Sequence, residues 1–355
     1  MSAPIADFRS DTMTRPTPAM RAAMASAEVG DDVWGEDPTV RQLEAEGAGL
    51  LGKEAAVFVP SGTMANQIAI HLHCRPGDEL ICEERSHVFV NEAGGIARWS
   101  GTQVKPLAAQ DGFPTPSQVE GAVRADDVHY PRSRLLVLEN THNSAGGRVA
   151  SAARVGALAA AAKKHGLAVH CDGARLANAA VALGCPMADL AAALDSTTLC
   201  LSKGLGAPVG SLVAGSAAFA KDARRARKAF GGGMRQAGVL AAAGLIALRD
   251  GPALLRRDHE RAKDLARGLA EVPWARVDAA SVETNIVMCE LVGIDPAPLL
   301  EHLRDHGVLA ATMGPRRVRF VLHRDVDDAG VRACLAACRS FAATPSSSPV
   351  KGLVP

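Results

Sequence analysis

Near its middle the chain reads Thr197-Thr198-Leu199-Cys200-Leu201-Ser202-Lys203-Gly204-Leu205-Gly206. The apolar run 199–201, followed by Ser-Lys-Gly, predicts a short buried strand that ends in a loop. A lysine at the end of a buried strand is costly in its charged form, because burial penalises the ammonium group. Such an amine has a lowered pKa and can act as a nucleophile toward a carbonyl carbon. The alternative is that Lys203 is an ordinary solvent-exposed lysine.

A second apolar run, about thirty residues earlier, ends in an aspartate. It reads Leu167-Ala168-Val169-His170-Cys171-Asp172-Gly173-Ala174-Arg175. If the two runs are neighbouring parallel strands, Asp172 and Lys203 lie at the same sheet edge, where open α/β sheets bind ligands. Pyridoxal phosphate (PLP) requires a lysine for its aldehyde and a carboxylate for its pyridinium nitrogen. The two runs therefore predict a PLP site.

Composition and charge exclude several classes of protein. The 355 residues are enough for two domains, and 48% hydrophobic with 22% charged residues excludes a disordered chain. A net charge of +1 indicates no nucleic-acid partner. The eight cysteines form no Cys-x-x-Cys pair, so the sequence predicts no metal site and favours reduced thiols in the cytoplasm. The longest apolar window, 237–248, is too short to span a membrane and predicts a buried helix.

An anion site is predicted where a strand at 55–59 runs into Ser61-Gly62-Thr63 and a helix follows. Free backbone N–H groups and the helix dipole both favour a phosphate at such a turn. The alternative is that Ser-Gly-Thr is a plain helix cap.

Two histidines are candidates for catalysis. A predicted strand at 79–82 delivers His87 to a loop, where it would lie over the cofactor ring if the PLP hypothesis holds. His129 precedes a predicted strand at 135–138. It could equally be a strand-edge residue with no catalytic part.

The order of elements predicts the fold class. Helices and strands alternate over 40–215, which indicates βαβ units and a mostly parallel sheet. After about residue 250 the pattern changes to that of a smaller α+β domain. We expect an N-terminal arm at 1–16, a large domain at 17–249, a small domain at 250–343 and a flexible tail at 344–355.

Several strings together resemble the L-threonine aldolase family, whose members are PLP enzymes of the aspartate aminotransferase-like fold (fold type I). The resemblance extends from Phe8 to about Asp325. The matching strings are Arg-Ser-Asp-Thr-Met-Thr at 9–14, Gly-Asp-Asp-Val-Trp-Gly-Glu-Asp-Pro-Thr at 30–39, Ser-Gly-Thr-Met-Ala-Asn at 61–66, His87, Glu-Ala-Gly-Gly at 92–95, Glu-Asn-Thr-His-Asn at 139–143, Asp-Gly-Ala-Arg at 172–175, Ser-Lys-Gly-Leu-Gly-Ala-Pro-Val-Gly-Ser at 202–211 and Gly-Gly-Gly-Met-Arg-Gln at 231–236.

The resemblance implies a role for each matching residue. Lys203 would bond the cofactor aldehyde, Asp172 would pair with the pyridine nitrogen and His87 would stack on the ring. Gly62 and Thr63 would bind the phosphate of the cofactor. Arg235 and Lys228 would reach the phosphate of a cofactor in the neighbouring subunit. The substrate carboxylate would be bound by Ser10, Arg175 and Arg319. Guanidinium groups suit a carboxylate because they bind it with two parallel hydrogen bonds.

Two positions depart from the family pattern. Residue 34 is Trp where the family usually has Tyr, so a role that needs the hydroxyl is in doubt. Residue 322 is Leu where the family often has Thr, which would reshape the wall of the site formed by the small domain.

The resemblance implies PLP-dependent retro-aldol cleavage of L-threonine or L-allo-threonine to glycine and an aldehyde, in an oligomer that is at least a dimer and usually a tetramer. The base that accepts the β-hydroxyl proton would be His87, His129 or a water that they hold. The alternatives are an aldolase for phenylserine or another bulky substrate, a β-eliminating lyase or aminotransferase on the same fold, and a catalytically silent protein that binds or assembles.

Overall fold

The computed structural model describes residues 6–342. The predicted tail at 344–355 and the first five residues of the predicted arm lie outside this range. Contacts divide the chain into two compact units. Of the described residues, the large unit comprises 14–256, and the small unit joins 6–13 to 257–342. Residues 6–13, expected in a separate arm, thus belong to the small unit, and the division lies seven residues beyond the expected boundary at 249/250.

The strands are β1 Ala6–Asp7, β2 Ala55–Val59, β3 Glu79–Glu83, β4 Gln103–Leu107, β5 Ser133–Glu139, β6 Ala168–Asp172, β7 Ser196–Cys200, β8 Ser211–Gly215, β9 Ala275–Arg276, β10 Ile286–Leu291, β11 Val308–Leu309, β12 Ala311–Thr312 and β13 Arg317–Val321.

The α-helices are α1 Pro18–Ala25, α2 Pro38–Leu50, α3 Gly62–His73, α4 His87–Val90, α5 Pro116–Ala122, α6 Ala152–Lys163, α7 Leu176–Leu183, α8 Met187–Ala191, α9 Ala217–Ala229, α10 Gly238–Ala270, α11 Pro296–Asp305 and α12 Asp328–Ser340. Side-chain caps start many of them, as at α2, where the Asp37 carboxylate accepts the Val40 N–H. Short 3₁₀ turns lie at Asp11–Met13 and Ala279–Ser281, and a π-helical turn lies at Ile96–Ser100.

The large unit is built on a seven-stranded sheet in the order β2-β8-β7-β6-β5-β3-β4. Strand β8 runs antiparallel to both of its neighbours, and the other pairs are parallel. The predicted mostly parallel sheet is therefore confirmed. Because β6 and β7 are parallel neighbours, their carboxyl ends lie side by side at the same end of the sheet.

Helices cover both faces of this sheet, because alternate residues of each strand point to opposite faces. In β2, Phe58 packs in a core with residues of α2 and α10, whereas Val57 and Val59 pack against α3 and α9. On the other half of the sheet, a core of β5 and β6 residues packs against α5 and α6. A sheet buried in this way holds its strand ends, and any site built on them, in fixed positions.

The small unit has the α+β composition that the sequence predicts. Strands β12-β13-β10-β9 form an antiparallel sheet, and β1 pairs in parallel with β11. Phe8 is fully buried and meets the Phe320 ring edge-on, with 6.0 Å between ring centroids. Cys334 and Cys338 are both buried on α12.

Helix α10 is 33 residues long and, by length and composition alone, could cross a membrane. Its apolar window is 56% buried within the protein. Ala241, Ala243, Ala247 and Leu248 lie in the same core as α2 and β7. The apolar character of α10 is therefore that of a core helix, as the sequence predicts for 237–248.

Candidate active site

The structure places Lys203 and Asp172 at the same edge of the sheet. Asp172 is the last residue of β6, and Lys203 lies in the turn three residues after the end of β7. The carbonyl of Lys203 accepts hydrogen bonds from Thr14 Oγ1 at 2.9 Å and from the Gly206 N–H at 2.8 Å, which fix the turn. Within residues 6–342 the Lys203 ammonium has no hydrogen-bond or ion-pair partner, so its amine is available for chemistry.

Asp172 is held rigidly and is only 2% exposed. Its Oδ2 accepts a hydrogen bond from Asn66 Nδ2 at 2.9 Å, and its Oδ1 accepts one from the Ala174 N–H at 3.0 Å. The next residue must be glycine, because a Cβ atom at Gly173 would lie 2.0 Å from the carbonyl oxygen of Thr198. The carboxylate therefore projects from the strand end with little freedom.

His87 lies beside this carboxylate. One imidazole nitrogen of His87 and one carboxylate oxygen each of Glu92 and Asp172 lie within 4.8 Å of one another. His87 Nδ1 is 3.0 Å from Glu92 Oε1, and the backbone N–H of His87 donates to Glu139 Oε2 at 2.7 Å. The hydrogen bond to Glu92, together with the charges of Asp172 and Glu139, raises the pKa of His87 above its ordinary value despite burial.

A second buried ionisable group supports the segment that carries His87. His142 is fully buried, with Nε2 3.0 Å from Glu83 Oε2 and 4.0 Å from Glu139 Oε2. Burial lowers the pKa of His142, but the two carboxylates raise it more, so the net shift is upward. Glu139 thus links the His142 cluster to the backbone of His87.

The predicted anion site lies at the first turn of α3. Ser61 caps this helix, since its Oγ accepts the Met64 N–H at 3.1 Å. The N–H groups of Gly62 and Thr63 have no partner within the helix, because they belong to its first turn. A Cβ atom at Gly62 would lie 3.5 Å from Ser211 Oγ, a buried hydroxyl without a hydrogen-bond partner in the described chain. These open donors suit a phosphate, and the cap does not compete with it.

Lys228 and Arg235 lie on the surface near that turn. A Cβ atom at Gly232 would meet Met64 Sδ at 2.3 Å, so the loop after α9 lies against the first turn of α3. Arg235 Nη1 is paired with Asp31 Oδ2 at 2.8 Å. Lys228 lines a pocket of about 500 Å³ that also includes Trp34, which is 77% exposed.

The three predicted carboxylate binders are divided between the two units. Arg175 lies in the large unit, is 6% exposed and directly precedes α7. Ser10 and Arg319 lie in the small unit, where Arg319 Nη2 donates to the Arg9 carbonyl at 3.1 Å. Leu322, one of the two departures from the family pattern, is buried in the core of the small unit.

The structure does not bring His129, a candidate for the base, to this site within one chain. The side chain of His129 is 81% exposed, and its Nδ1 is 2.7 Å from Asp127 Oδ1. Its loop leads into the amino end of β5, and the Arg132 carbonyl in that loop accepts the N–H of Glu79 at the start of β3. Asp172 and Lys203 lie at the carboxyl ends of the parallel strands, on the opposite edge.

Sequence analysis assigned no role to Asn66, Glu92 or Glu139, although all three lie in the quoted strings. They are 2%, 3% and 5% exposed, and each makes hydrogen bonds at the site. A buried glutamate indicates that its carboxylate has specific partners, because ionised carboxylates are rarely buried without them. The partners could not be identified, because they are distant in sequence.

The assembled groups fit PLP. The fold provides an unpaired lysine amine, a buried carboxylate at the adjacent strand end, an imidazole beside that carboxylate and a helix N-terminus with an orphan hydroxyl. These are the groups that the aldehyde, the pyridinium nitrogen, the ring and the phosphate of PLP require.

Comparison with known proteins supports the same assignment. A profile of the beta-eliminating lyase family matches residues 7–291. The chain is 45% identical to low-specificity L-threonine aldolase 1 of Arabidopsis thaliana over 337 residues, which cover 93% of this chain and 94% of the plant protein. It is 43% identical to the low specificity L-threonine aldolase of Escherichia coli K12 over 338 residues, which cover 95% and 99% of the two chains.

Solved structures share the fold. The threonine aldolase of Leishmania major superimposes with a TM-score of 0.82 at 22% identity, covering 94% of this chain and 98% of the other. Serine palmitoyltransferase of Sphingomonas wittichii gives 0.75 at 18% identity, covering 94% and 86%. The predicted fold type I architecture is confirmed. Given its identity to these relatives over nearly its whole length, the chain belongs to the L-threonine aldolase family within the beta-eliminating lyases.

Proposed function

We propose that this protein is a carbon–carbon lyase that uses PLP to cleave L-threonine and L-allo-threonine to glycine and acetaldehyde. The observation that carries the proposal is the position of Asp172 and Lys203 at adjacent strand ends, with His87 beside the carboxylate. The names of the two curated relatives support the substrate class, since each is called a low-specificity L-threonine aldolase.

Five residues of the large unit would hold the cofactor. Lys203 would bond its aldehyde, Asp172 would accept from its pyridinium N–H, His87 would stack on its ring, and Gly62 and Thr63 would bind its phosphate. When bound, PLP supplies an electron sink for the Cα–Cβ bond of the amino acid. The buried position of Asp172 keeps water away from the pyridinium contact, which strengthens the electrostatic interaction.

The chain itself must hold the substrate carboxylate and accept the β-hydroxyl proton. Arg175, Ser10 and Arg319 would bind the carboxylate, as the resemblance to the family implies. The base would be His87, or a water that it holds, because its pKa is raised and its Nε2 has no partner among residues 6–342. His129 could contribute only to the site of another subunit.

We further propose that the enzyme is cytoplasmic and at least dimeric, with a tetramer as the expected form. The exposed positions of Lys228 and Arg235 support this proposal, because side chains on the surface can reach a phosphate in a neighbouring subunit. Trp34 lies on the same surface, 77% exposed, where a partner subunit would cover its ring.

The test is to incubate the PLP-loaded enzyme with L-threonine, L-allo-threonine and phenylserine, and to measure aldehyde, glycine and keto acid in the same tube. Equal amounts of acetaldehyde and glycine from the first two substrates would support the proposal. Faster release of benzaldehyde from phenylserine would identify an aldolase for bulky substrates. Keto acid without aldehyde would refute the proposal in favour of β-elimination or transamination.

A further inference from the structure

One buried amide bridges the two carboxylates of the site. Asn66 Nδ2 lies 2.9 Å from Asp172 Oδ2 and 2.9 Å from Glu92 Oε1. Glu92 Oε1 also lies 3.0 Å from His87 Nδ1, and its Oε2 accepts from Gln67 Nε2 at 2.6 Å. The Glu92 side chain has no exposed surface, and within residues 6–342 its hydrogen bonds are those to Asn66, His87 and Gln67.

The other end of the same amide meets a chain of neutral groups. Asn66 Oδ1 lies 3.3 Å from His170 Nε2 and 3.4 Å from Thr198 Oγ1. His170 Nδ1 is 2.8 Å from Ser196 Oγ, which is also 2.8 Å from His73 Nε2. Burial lowers the pKa of His170 to about 3 and lowers that of His73 as well, so both imidazoles are neutral.

These contacts allow a single arrangement of protons. Carboxylates only accept, so the Asn66 NH₂ must face Asp172 and Glu92, and its oxygen must face His170. His170 then donates from Nε2. Because it is neutral, its Nδ1 accepts from the Ser196 hydroxyl, which in turn accepts from His73 Nε2–H. Each hydrogen bond of this chain is donated in the same direction, from His73 toward Asp172 and Glu92.

The same reasoning applies to His87. Its Nδ1 faces a carboxylate oxygen that only accepts, so Nδ1 must carry a hydrogen. In the neutral ring Nε2 is then the bare nitrogen, and within residues 6–342 it has no hydrogen-bond partner. It is therefore the nitrogen that is open to a ligand.

We propose that Asn66 and Glu92 are positioning residues that fix His87 as the Nδ1–H tautomer and orient it and Asp172 as one unit. The expected effect on turnover rests on the proposed function, whereas the tautomer of His87 and the orientation of Asn66 do not. Glu92 acts on the reaction through His87, and Asn66 acts through both carboxylates. A histidine held in this way by a carboxylate presents its second nitrogen in a defined direction and protonation state.

Glutamine at position 92 cannot reproduce this arrangement. Glu92 accepts from three donors, on His87, Asn66 and Gln67. An amide of the same shape has one accepting oxygen and one donating nitrogen, so one of the three donors would face another donor unless the Gln67 amide, whose Oε1 has no hydrogen-bond partner in the described chain, turns over. Glutamine also lacks the carboxylate whose hydrogen bond is the largest cause of the raised pKa of His87, and it removes the Glu92 charge, which raises that pKa as well.

Neutron diffraction from crystals of the wild-type holoenzyme, exchanged into D₂O at a pD where His87 is neutral, tests the structural claim without any variant. We expect deuterium on His87 Nδ1, on His170 Nε2 and on the Asn66 nitrogen that faces Asp172 and Glu92. Deuterium on His87 Nε2 alone, or an Asn66 oxygen facing the carboxylates, would overturn the inference.

Kinetics of Glu92→Gln test the functional consequence. We expect kcat/KM for threonine to fall about tenfold or more, as for loss of a hydrogen bond to a charged group. The limb of the pH profile that reports His87 should move to lower pH, because the pKa of His87 falls when the Glu92 carboxylate is lost. Glu84→Gln, an exposed glutamate eight residues earlier, should leave both unchanged.

An unshifted pH profile in a folded, PLP-loaded Glu92→Gln variant would contradict the positioning role. If the wild-type enzyme cleaved none of the β-hydroxy amino acids, the proposed function would fail. The neutron density would still decide the inference, because it needs no substrate.

Discussion

Asn66 and Asp172 are 106 residues apart in sequence, yet the amide of the first donates to the carboxylate of the second over 2.9 Å. Asn66 lies on α3, whose first turn forms the predicted phosphate site, and Asp172 ends β6. The hydrogen bond therefore ties the proposed phosphate end of the cofactor site to its proposed pyridinium end. Changes at Asn66 should alter cofactor binding as well as turnover.

Asn66→Asp tests this link. The change places a third carboxylate beside Asp172 and Glu92, and repulsion among the three weakens the contact with a pyridinium nitrogen. We expect the PLP dissociation constant to rise roughly tenfold or more, which corresponds to about 1.4 kcal/mol of binding free energy. Fluorescence titration of the apoenzyme measures it. Asn91→Asp, at an exposed position, should bind PLP as the wild type does, and equal affinity of both variants would contradict the link.

Lys203→Ala tests the proposed covalent contact. Borohydride treatment of the holoenzyme, followed by peptide mass spectrometry, should place the cofactor on Lys203 in the wild type and on no residue in the variant. Aldehyde production should fall by orders of magnitude, because the amine that would bond the cofactor aldehyde is lost. Lys221→Ala, on the exposed face of α9, is the matched control and should retain both label and activity. A labelled Lys203→Ala protein would refute the assignment.

The elements that carry Lys203 and Asp172 could be predicted because local signals agree there. Strand β2 was predicted at the bounds observed, and the apolar runs before Asp172 and Lys203 each gave a strand ending at the expected edge. Strand β4 was missed, since Lys105 and Pro106 interrupt its pattern and it lies at the sheet edge with half-exposed residues. The sequence pattern predicts a strand least well at the edge of a sheet, where one side of the strand has no neighbour.

Other features depend on the tertiary fold and leave no local signal. The domain boundary was expected near 250 because the sequence pattern changes there, but α10 continues through that position, with Pro252 inside the helix. His129 was a candidate because histidine suits the chemistry, and only the strand direction shows that its loop is at the opposite edge. The partners of Glu92 were hidden because they are brought together by packing of α3 on the sheet.

Gly173→Ala tests how tightly the Asp172 turn is built. The added Cβ would lie 2.0 Å from the Thr198 carbonyl, a backbone atom that cannot move aside cheaply. We expect a loss of about 1–3 kcal/mol or more in stability, with weakened PLP binding because Asp172 is displaced. Gly156→Ala, within α6 and with nothing near its Cβ position, should instead stabilise the protein by about 0.5–1 kcal/mol. Thermal unfolding of both holoenzymes measures the difference, and similar midpoints would contradict the prediction.

Asp258→Asn tests a buried carboxyl group in the small unit. Asp258 is 1% exposed, and neither of its oxygens has a hydrogen-bond partner in the described chain. Burial raises its pKa to about 7; the nearby Asp11 and Asp325 add to the rise, and Arg261 and Arg324 oppose it.

A folded-state pKa above the unfolded value means that the folded protein binds this proton more tightly. The contribution of Asp258 to stability therefore falls as pH rises from about 4 to about 7, and stays at its reduced value above that. Asparagine has no proton to lose, so Asp258→Asn should gain stability relative to wild type across that interval, on the order of 3 kcal/mol at pH 8. Urea unfolding at pH 5, 6, 7 and 8 measures the difference in unfolding free energy. The control Asp222→Asn, exposed on α9, should show no such trend. If the difference in unfolding free energy between Asp258→Asn and wild type were the same at all four pH values, Asp258 would be ionised throughout and the prediction would be wrong.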